Sequence, residues 1–408
     1  MKSRKKSLLF VFITVFIDCM GMRIVFPGMA SLITQVSGVN VNDAIIYSGW
    51  LMVSYALMQF VFSPVLGALS DVYGRRPILL LSLFGLGLDY LFLSVANTLP
   101  LLFAGRIIAG ICGSSLTTGF AYVADITKPE ERAQSFGLIS AAVGLGFIIG
   151  PFLGGLFSEF GIRIPFVVAA ILSLVNLLYG FFILPESLAS QNRAKFNLSR
   201  LNPFRSFIFF KEQTTLQPLL ISLFFVYLSA QALPSIWPFY TKYLYKWSDL
   251  EIGYSLTFVG LLVAIVKSGL IKWSQNKFGS VNSVHIGLIF SILGLGLFAF
   301  ANQPWMVYVF ALVYCMGGIA TPSLQGIISN KMASNQQGEL QGVITSFVSL
   351  ANILSPILMT HIFSFCTKNQ NFQFPGIPFI VSAVIIFFSF LLFAKARKST
   401  RLFLENTI

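Results

Sequence analysis

Long apolar stretches alternate with short polar segments along the whole chain. Twelve such stretches can be counted, at residues 8–36, 46–69, 78–97, 99–123, 134–158, 163–184, 216–243, 249–272, 280–301, 303–330, 339–362 and 375–395. Because a helix rises 1.5 Å per residue, about 20 residues cross the roughly 30 Å hydrocarbon core of a bilayer. The pattern therefore predicts an all-α integral membrane protein with twelve transmembrane helices.

The composition supports this prediction. Hydrophobic residues make up 56% of the chain and aromatic residues 15%, whereas charged residues make up only 10%. The mean hydropathy is +0.81, which few soluble folds reach.

Positive charge is distributed unevenly between the polar segments. With the N-terminus placed in the cytoplasm, 20 of the 27 lysines and arginines fall in cytoplasmic segments, four in external loops and three inside spans. The positive-inside rule then predicts that both termini are cytoplasmic. We expect the membrane to be the plasma membrane, the inner membrane of a bacterium. The net charge of +13 would face anionic lipid headgroups, and its dispersal argues against nucleic-acid binding.

Glycines and prolines recur at an offset of 205 residues. The matched pairs are Gly74 and Gly279, Gly113 and Gly318, Gly137 and Gly342, and Pro151 and Pro356. Their backbone roles are hard to replace, so these matches indicate an internal duplication. We predict two six-helix halves, 1–184 and 216–408, joined by a cytoplasmic linker at 185–215.

A charged, glycine-containing turn lies between the second and third apolar stretches. Residues 67–76 read G-A-L-S-D-V-Y-G-R-R, and such charged residues cannot enter lipid. The turn resembles the loop between helices two and three of major facilitator transporters, usually G-x-L-A-D-[RK]-x-G-R-[RK], except at Val72. The resemblance implies the major facilitator fold, with two six-helix bundles related by a pseudo-two-fold axis.

That resemblance also implies a gating role for part of the turn. The residues concerned are Gly67, Asp71, Gly74, Arg75 and Arg76. Glu130, Glu131 and Arg132 in the next cytoplasmic loop are candidate partners. The alternative is that the two arginines serve topology alone.

The fifth stretch carries a second glycine pattern, G-x8-G-x3-G-P-x2-G-G. It is formed by Gly137, Gly146, Gly150, Pro151, Gly154 and Gly155. This pattern resembles the antiporter motif of proton-coupled efflux pumps. Small residues that allow close helix packing would explain it without any role in transport.

Further segments resemble the tetracycline-efflux branch of the superfamily. They are F-I-D-C-M-G-M-R-I-V-F-P at 16–27, Y-A-L-M-Q-F at 55–60, G-R-I-I-A-G at 105–110, A-D-I-T at 124–127, L-P-E-S at 184–187, P-S-L-Q-G at 322–326 and Q-G-E-L-Q-G at 337–342. The resemblance implies a secondary transporter that exchanges a small molecule for protons. We expect a monomer, with the proton gradient as energy source and no cofactor.

Three charged residues inside the spans are candidates for proton coupling. Asp18 and Asp89 each lie about ten residues into a helix that starts from the cytoplasmic side, so they should reach similar depth. An ionisable group at that depth is costly and is a functional candidate. In the resembled branch, acidic residues at these positions matter for transport, and Arg106 matches a buried arginine. The alternatives are simple pairing for the acids and bonds to helix-end carbonyls for the arginine.

Other polar or aromatic residues inside spans are candidates for lining a substrate cavity. They are Gln59, Gln231, Gln325, Trp237 and Tyr240. Interhelical hydrogen bonds would explain the glutamines equally well, and anchoring at the membrane interface would explain the aromatic residues.

The chain departs from the tetracycline pumps in its intramembrane charge. Val263 replaces a histidine and Ser291 an aspartate by alignment, while Arg23 and Lys267 are added cations. A lysine near the end of a span can also snorkel to the interface. We therefore hypothesise that the cavity favours substrates with an anionic group.

Three functions compete at this stage. We predict a proton-coupled exporter of a drug-like molecule or metabolite; the alternative is a carrier for an anionic metabolite or chelator. A membrane receptor or enzyme is disfavoured, because no predicted helix carries a paired-histidine metal site or a nucleophile constellation. A pump driven directly by ATP is excluded, because the sequence has no P-loop, and the four cysteines have no metal-ligand spacing. We predict no metal site.

Overall fold

The structure is a computed structural model and describes residues 2–128, 131–193, 205–332, 336–368 and 373–404. Helices make up nearly all of these described residues. The α-helices are α1 Lys2–Ser37, α2 Val41–Tyr73, α3 Arg75–Val95, α4 Leu99–Cys112, α5 Ser115–Ile126, α6 Arg132–Ser158, α7 Ile164–Ile183, α8 Arg205–Glu212, α9 Gln217–Ala230, α10 Ala232–Tyr245, α11 Asp249–Ile265, α12 Ile271–Ala299, α13 Pro304–Met316, α14 Ala320–Asn330, α15 Gln337–Lys368 and α16 Ile377–Leu404. Short 3₁₀ turns occur at Ser190–Asn192 and Gly317–Ile319, and a π turn at Val266–Leu270. No strand occurs within these described ranges.

Eleven segments of the described chain are long and apolar enough to cross a membrane. Ten of them correspond one to one with predicted spans. The other, Asp249–Ala299, is 51 residues long and includes α11, the π turn and α12. Gly279 interrupts it with non-helical angles, φ 77° and ψ 161°. Since about 20 residues suffice for one crossing, this segment accounts for two of the twelve predicted spans.

Three spans that the sequence predicts as continuous are broken in the structure. Gly113 and Ser114 separate α4 from α5, Gln231 separates α9 from α10, and Gly317–Ile319 separates α13 from α14. The mean hydropathy of these spans stays high across the breaks, so hydropathy alone does not reveal them. A break inside a membrane frees backbone groups that need new partners.

The internal repeat is visible in the backbone conformation. Gly74 has φ 110° and ψ 163°, and Gly279, which lies 205 residues later, has the similar angles given above. Positive φ of this kind strains any residue with a Cβ, which is why glycine is found at both turns. The breaks at Gly113 and at Gly317–Ile319, which includes Gly318, are also repeat-related.

Contacts divide the chain into two compact units. The first comprises Met1–Pro203 and Lys246–Gly260, and the second Phe204–Tyr245 and Leu261–Ile408. In the first unit, α1 packs along α6, while α3 packs against α7 and α4. In the second, α9 and α12 both pack against α16. The division at 184 and 216 that the sequence suggests stays a prediction.

Glycines of α6 allow it to approach α1 closely. A Cβ on Gly146 would lie 2.8 Å from the backbone nitrogen of Met20, and a Cβ on Gly150 would lie 2.8 Å from the Met20 carbonyl oxygen. At Gly154 it would overlap the Ile24 carbonyl. The spacing of four residues places the three glycines on one helix face. This packing gives the glycine pattern a structural role, whatever its part in transport.

The remaining motif glycines differ from these three. A Cβ on Gly155 would lie 3.0 Å from the carbonyl oxygen of Asp249, within the same unit. A Cβ on Gly137 would meet nothing within 4 Å. The close packing therefore involves the second half of the motif.

The glycine face can be tested by two alanine substitutions. We expect Gly154→Ala to destabilise the protein by about 1–3 kcal/mol, because the added methyl group overlaps the α1 backbone. Gly137→Ala is the matched control, and removing a helical glycine there should stabilise by up to about 1 kcal/mol. The four cysteines are buried and free, so a thiol-reactive dye reports thermal unfolding. Equal melting temperatures for the two variants would contradict the packing.

Candidate functional site

A buried ion pair joins α3 to α4 inside the first unit. The side chain of Asp89 is fully buried, and Arg106 donates to both of its carboxylate oxygens, from Nε to Oδ1 at 3.0 Å and from Nη2 to Oδ2. Gly105 permits this approach, since a Cβ there would lie 2.8 Å from Asp89 Oδ1. Two parallel bonds of this kind are the strongest form of arginine–carboxylate pairing. The structure thus gives Arg106 a carboxylate partner, not helix-end carbonyls.

The second acid, Asp18, has a different partner. It is 7% exposed on α1 and accepts a hydrogen bond from the hydroxyl of Ser115. Ser115 is the first residue of α5, directly after the break in the fourth span. One acid is therefore held by a guanidinium group and the other by a neutral hydroxyl. We refer to Asp18, Asp89 and Arg106 as the charge cluster.

Gln59 and Tyr55 connect the broken span to the charge cluster. Gln59 Nε2 donates to the Gly113 carbonyl at 2.9 Å and to the Tyr55 hydroxyl at 3.1 Å. The Tyr55 ring in turn lies 5.9 Å from the guanidinium carbon of Arg106. Gln59 therefore provides a partner for a carbonyl freed by the break, as its alternative reading predicts.

Arg23 lies on α1 against an aromatic ring. Its guanidinium carbon is 3.7 Å from the centroid of the Phe147 ring and 5.8 Å from that of Phe26. Gly150 leaves room for the base of this side chain. Among the described residues, no carboxylate forms a salt bridge with Arg23. The aromatic stack holds the cation without neutralising it.

The charged turn is held by a network of side chains. Arg75 Nη1 donates to Asp71 Oδ1 at 2.6 Å and to Ser70 Oγ at 2.7 Å, while Nε donates to Asp125 Oδ2 at 3.1 Å. Arg76 Nη2 donates to the Phe181 carbonyl at 2.6 Å. The network joins the turn to the ends of α5 and α7.

Glu186 caps the start of α3. Its carboxylate accepts from the backbone N–H of Arg75 at 2.8 Å and of Arg76 at 3.2 Å, and from the N–H groups of the two residues that follow it. A negative charge is favourable at a helix N-terminus, where unpaired N–H groups point outward. A Cβ on Gly74 would overlap this carboxylate, a second reason for glycine there.

Several of these partners were not predicted. Asp125 and Glu186 lie in the segments A-D-I-T and L-P-E-S, which the sequence analysis used only for resemblance. The sequence suggested Glu130, Glu131 and Arg132 as partners of the turn; Glu130 lies outside the described residues. The sequence did not predict Ser115 as a partner of Asp18, because it did not predict the helix break that precedes Ser115.

Two cavity candidates of the second unit belong to its core. Trp237 and Tyr240 are 0% and 1% exposed, and their rings pack with Phe298 and Phe379. The Tyr240 hydroxyl donates to the Phe298 carbonyl at 3.0 Å. Both rings are packed in the core of this unit in the structure, and their place in a substrate cavity stays a prediction.

The other polar candidates of this unit have separate environments. Gln325 Nε2 donates to the Tyr227 hydroxyl, and Gln231 lies at the break between α9 and α10. Lys267 is exposed within the π turn, so it is not a buried cation. Ser291 lies against the broken tenth span, where a Cβ on Gly317 would be 3.0 Å from the Ser291 nitrogen. These residues do not form one cluster comparable to that of the first unit.

Metal ligation finds no support among the described residues. They contain no group of three or more His, Cys, Asp or Glu side chains that could hold an ion.

Comparisons with known proteins extend over nearly the whole chain. A model of the Major Facilitator Superfamily matches residues 11–356 and 219–405. The tetracycline resistance protein of class C from Escherichia coli is 36% identical over 385 residues, which cover 94% of this chain and 95% of the relative. The class H protein from Pasteurella multocida is 32% identical over 384 residues, covering 93% and 94%. The solved nucleoside transporter NupG has a TM-score of 0.77 at 13% identity, covering 98% of this chain and 100% of that one, a likeness of fold alone.

Proposed function

The chain belongs to the major facilitator superfamily, and from that membership we propose that it exports tetracycline-like or similar drug molecules in exchange for protons. It is an integral membrane protein and a secondary active transporter, not an enzyme. The relatives are named for tetracycline resistance, so uptake of an anionic metabolite is the less favoured function. We further propose a monomer in a bacterial inner membrane, with both termini cytoplasmic.

The charge cluster carries this proposal. A proton antiporter needs a buried group that binds a proton in one state and releases it in another. Asp18 accepts a hydrogen bond from the Ser115 hydroxyl and forms no salt bridge among the described residues. It suits that task, because a hydroxyl can remain bonded to the neutral or the charged carboxyl. Asp89 is paired with Arg106, and protonation of Asp89 would release the guanidinium group. Proton binding is thereby coupled to the contact between α3 and α4.

The network at the charged turn is our proposed gating element. Asp71, Arg75 and Asp125 hold one arrangement of the turn, and Glu186 fixes the start of α3 beside it. Alternating access requires such contacts to exchange partners between states. The glycine face of α6 would let α1 and α6 move against each other as they do so.

Transport driven by a pH gradient tests the proposed function. In sealed proteoliposomes, tetracycline should accumulate when the lumen is acidic and stop accumulating when an ionophore collapses the gradient. Asp18→Asn should lower this rate by about 100-fold or more, since it cannot exchange a proton. Asp43→Asn is a matched carboxylate change outside the charge cluster and should leave the rate unchanged. Gradient-independent equilibration in the wild type would contradict antiport.

Arg23 is our proposed contact for an anionic group of the substrate. Its guanidinium is held on Phe147 and has no salt-bridge partner among the described residues. We expect Arg23→Gln to raise the KM for substrates that bear a carboxylate or enolate by about tenfold, with kcat little changed, because it removes one charge-assisted hydrogen bond. Transport of neutral substrates serves as the control. An unchanged KM for every anionic substrate would contradict the assignment.

A further inference from the structure

Tyr90 carries a buried hydroxyl group without a protein partner. The residue lies on α3 directly after Asp89 and is 2% exposed. Among the described residues, none accepts from or donates to its hydroxyl oxygen. A buried hydroxyl without a partner loses its hydration and gains nothing in return. Phenylalanine would fill the same space without this loss. The presence of the hydroxyl group therefore indicates a functional role for it.

The Tyr90 hydroxyl lies close to the helix that carries Asp18, and this position indicates its role. The Tyr90 ring lies against α1 at Gly21, where an added Cβ would be 3.4 Å from a ring carbon and 3.7 Å from the hydroxyl oxygen. Asp18 lies three residues before Gly21, which places the two on the same side of α1. The Tyr90 hydroxyl is therefore directed to the face of α1 that carries the proton-binding candidate.

Tyr90 connects the helices that carry the two acids. It directly follows Asp89 on α3, and its ring reaches α1 at Gly21, three residues after Asp18. Asp18 is bonded by Ser115, and both oxygens of Asp89 are bonded by Arg106. Thr14 Oγ1 also lacks a partner among the described residues, but it lies on α1 with Asp18, whereas Tyr90 joins α1 to α3, the helix of Asp89. Tyr90 is thus the available link between the two acids.

We propose that the Tyr90 hydroxyl relays protons between Asp18 and Asp89, either directly or through one buried water molecule on each side. This inference rests on the proposed proton antiport. In the transfer, protonated Asp18 gives its proton to the tyrosine oxygen as the tyrosine O–H gives its own proton to the Asp89 carboxylate. Asp18 ends charged, Asp89 ends neutral and Tyr90 is unchanged. Neutral Asp89 then releases Arg106, which links proton movement to the α3–α4 contact.

The test compares two tyrosine-to-phenylalanine variants of buried residues in the same unit. Tyr122 is the matched control, because its side chain is fully buried and its hydroxyl donates to the Pro185 carbonyl at 2.9 Å, outside the charge cluster. Three quantities are measured for each variant: the melting temperature, substrate exchange at equal pH on both sides, and tetracycline uptake driven by a pH gradient. Exchange at equal pH requires no net proton transfer.

The relay predicts opposite results for the two variants. Tyr90→Phe should keep or raise the melting temperature, keep exchange at equal pH, and lower gradient-driven uptake by about 100-fold. Tyr122→Phe should lower the melting temperature, because it removes the hydrogen bond from a buried tyrosine to the Pro185 carbonyl, and it should keep the ratio of gradient-driven uptake to exchange. A wild-type ratio in Tyr90→Phe would overturn the relay. Loss of exchange and of stability together would also overturn it, since that result indicates packing alone.

Two further measurements distinguish a failure of the Tyr90 relay from a failure of proton antiport itself. Absence of gradient-driven uptake in the wild type would reject the antiport itself, whereas a normal wild type with a normal Tyr90→Phe rejects only the relay. Infrared difference spectra of the wild type need no foldable variant. We expect the tyrosine C–O stretch to shift when the carboxyl groups are protonated and this shift to be lost in Asp18→Asn. A tyrosine C–O stretch that does not shift when the carboxyl groups are protonated would contradict the relay.

Discussion

The ion pair of Asp89 and Arg106 is the interaction on which the arrangement of the first unit depends. Both groups lie within spans, where an unpaired charge costs several kcal/mol. The pair is acceptable because both carboxylate oxygens are bonded at once and because Gly105 permits close approach. Its geometry fixes α3 against α4. Protonation of Asp89 would neutralise its carboxylate and so weaken the ion pair that fixes α3 against α4.

The break in the fourth span supplies the partner of the second acid. Arg106 is held near the middle of α4, and the chain then changes direction at Gly113. Gln59 bonds the freed carbonyl, and Ser115, the first residue after the break, bonds Asp18. The two acids therefore receive their different partners from one interrupted helix. An unbroken helix would not bring Arg106 and Ser115 to these two sites with the same geometry.

Hydropathy and motif resemblance predicted the spans and the superfamily, and they singled out Asp18, Asp89 and Arg106 as candidates inside the spans. Those features depend on local composition or on single residues whose burial is costly. The breaks at Gly113, Gln231 and Gly317–Ile319 could not be predicted from hydropathy, because the mean hydropathy of each span stays high across them. The capping of α3 by Glu186 and the position of the Tyr90 hydroxyl could not be predicted from the sequence either. Both depend on contacts with residues that are distant along the chain. The packing of Trp237 and Tyr240 could not be predicted either, because an aromatic residue in a span has the same sequence pattern in a core and in a cavity.

A double-mutant cycle at Asp89 and Arg106 tests the central claim most directly, with melting temperature and gradient-driven uptake as the two readouts. The account predicts that Asp89→Asn and Arg106→Gln each destabilise by about 3–5 kcal/mol, because each leaves a buried charge unpaired. The double variant should recover most of that stability yet remain unable to couple uptake to the pH gradient. Additive losses of stability would contradict the pairing. Gradient-driven uptake in the neutral double variant would contradict its role in proton coupling.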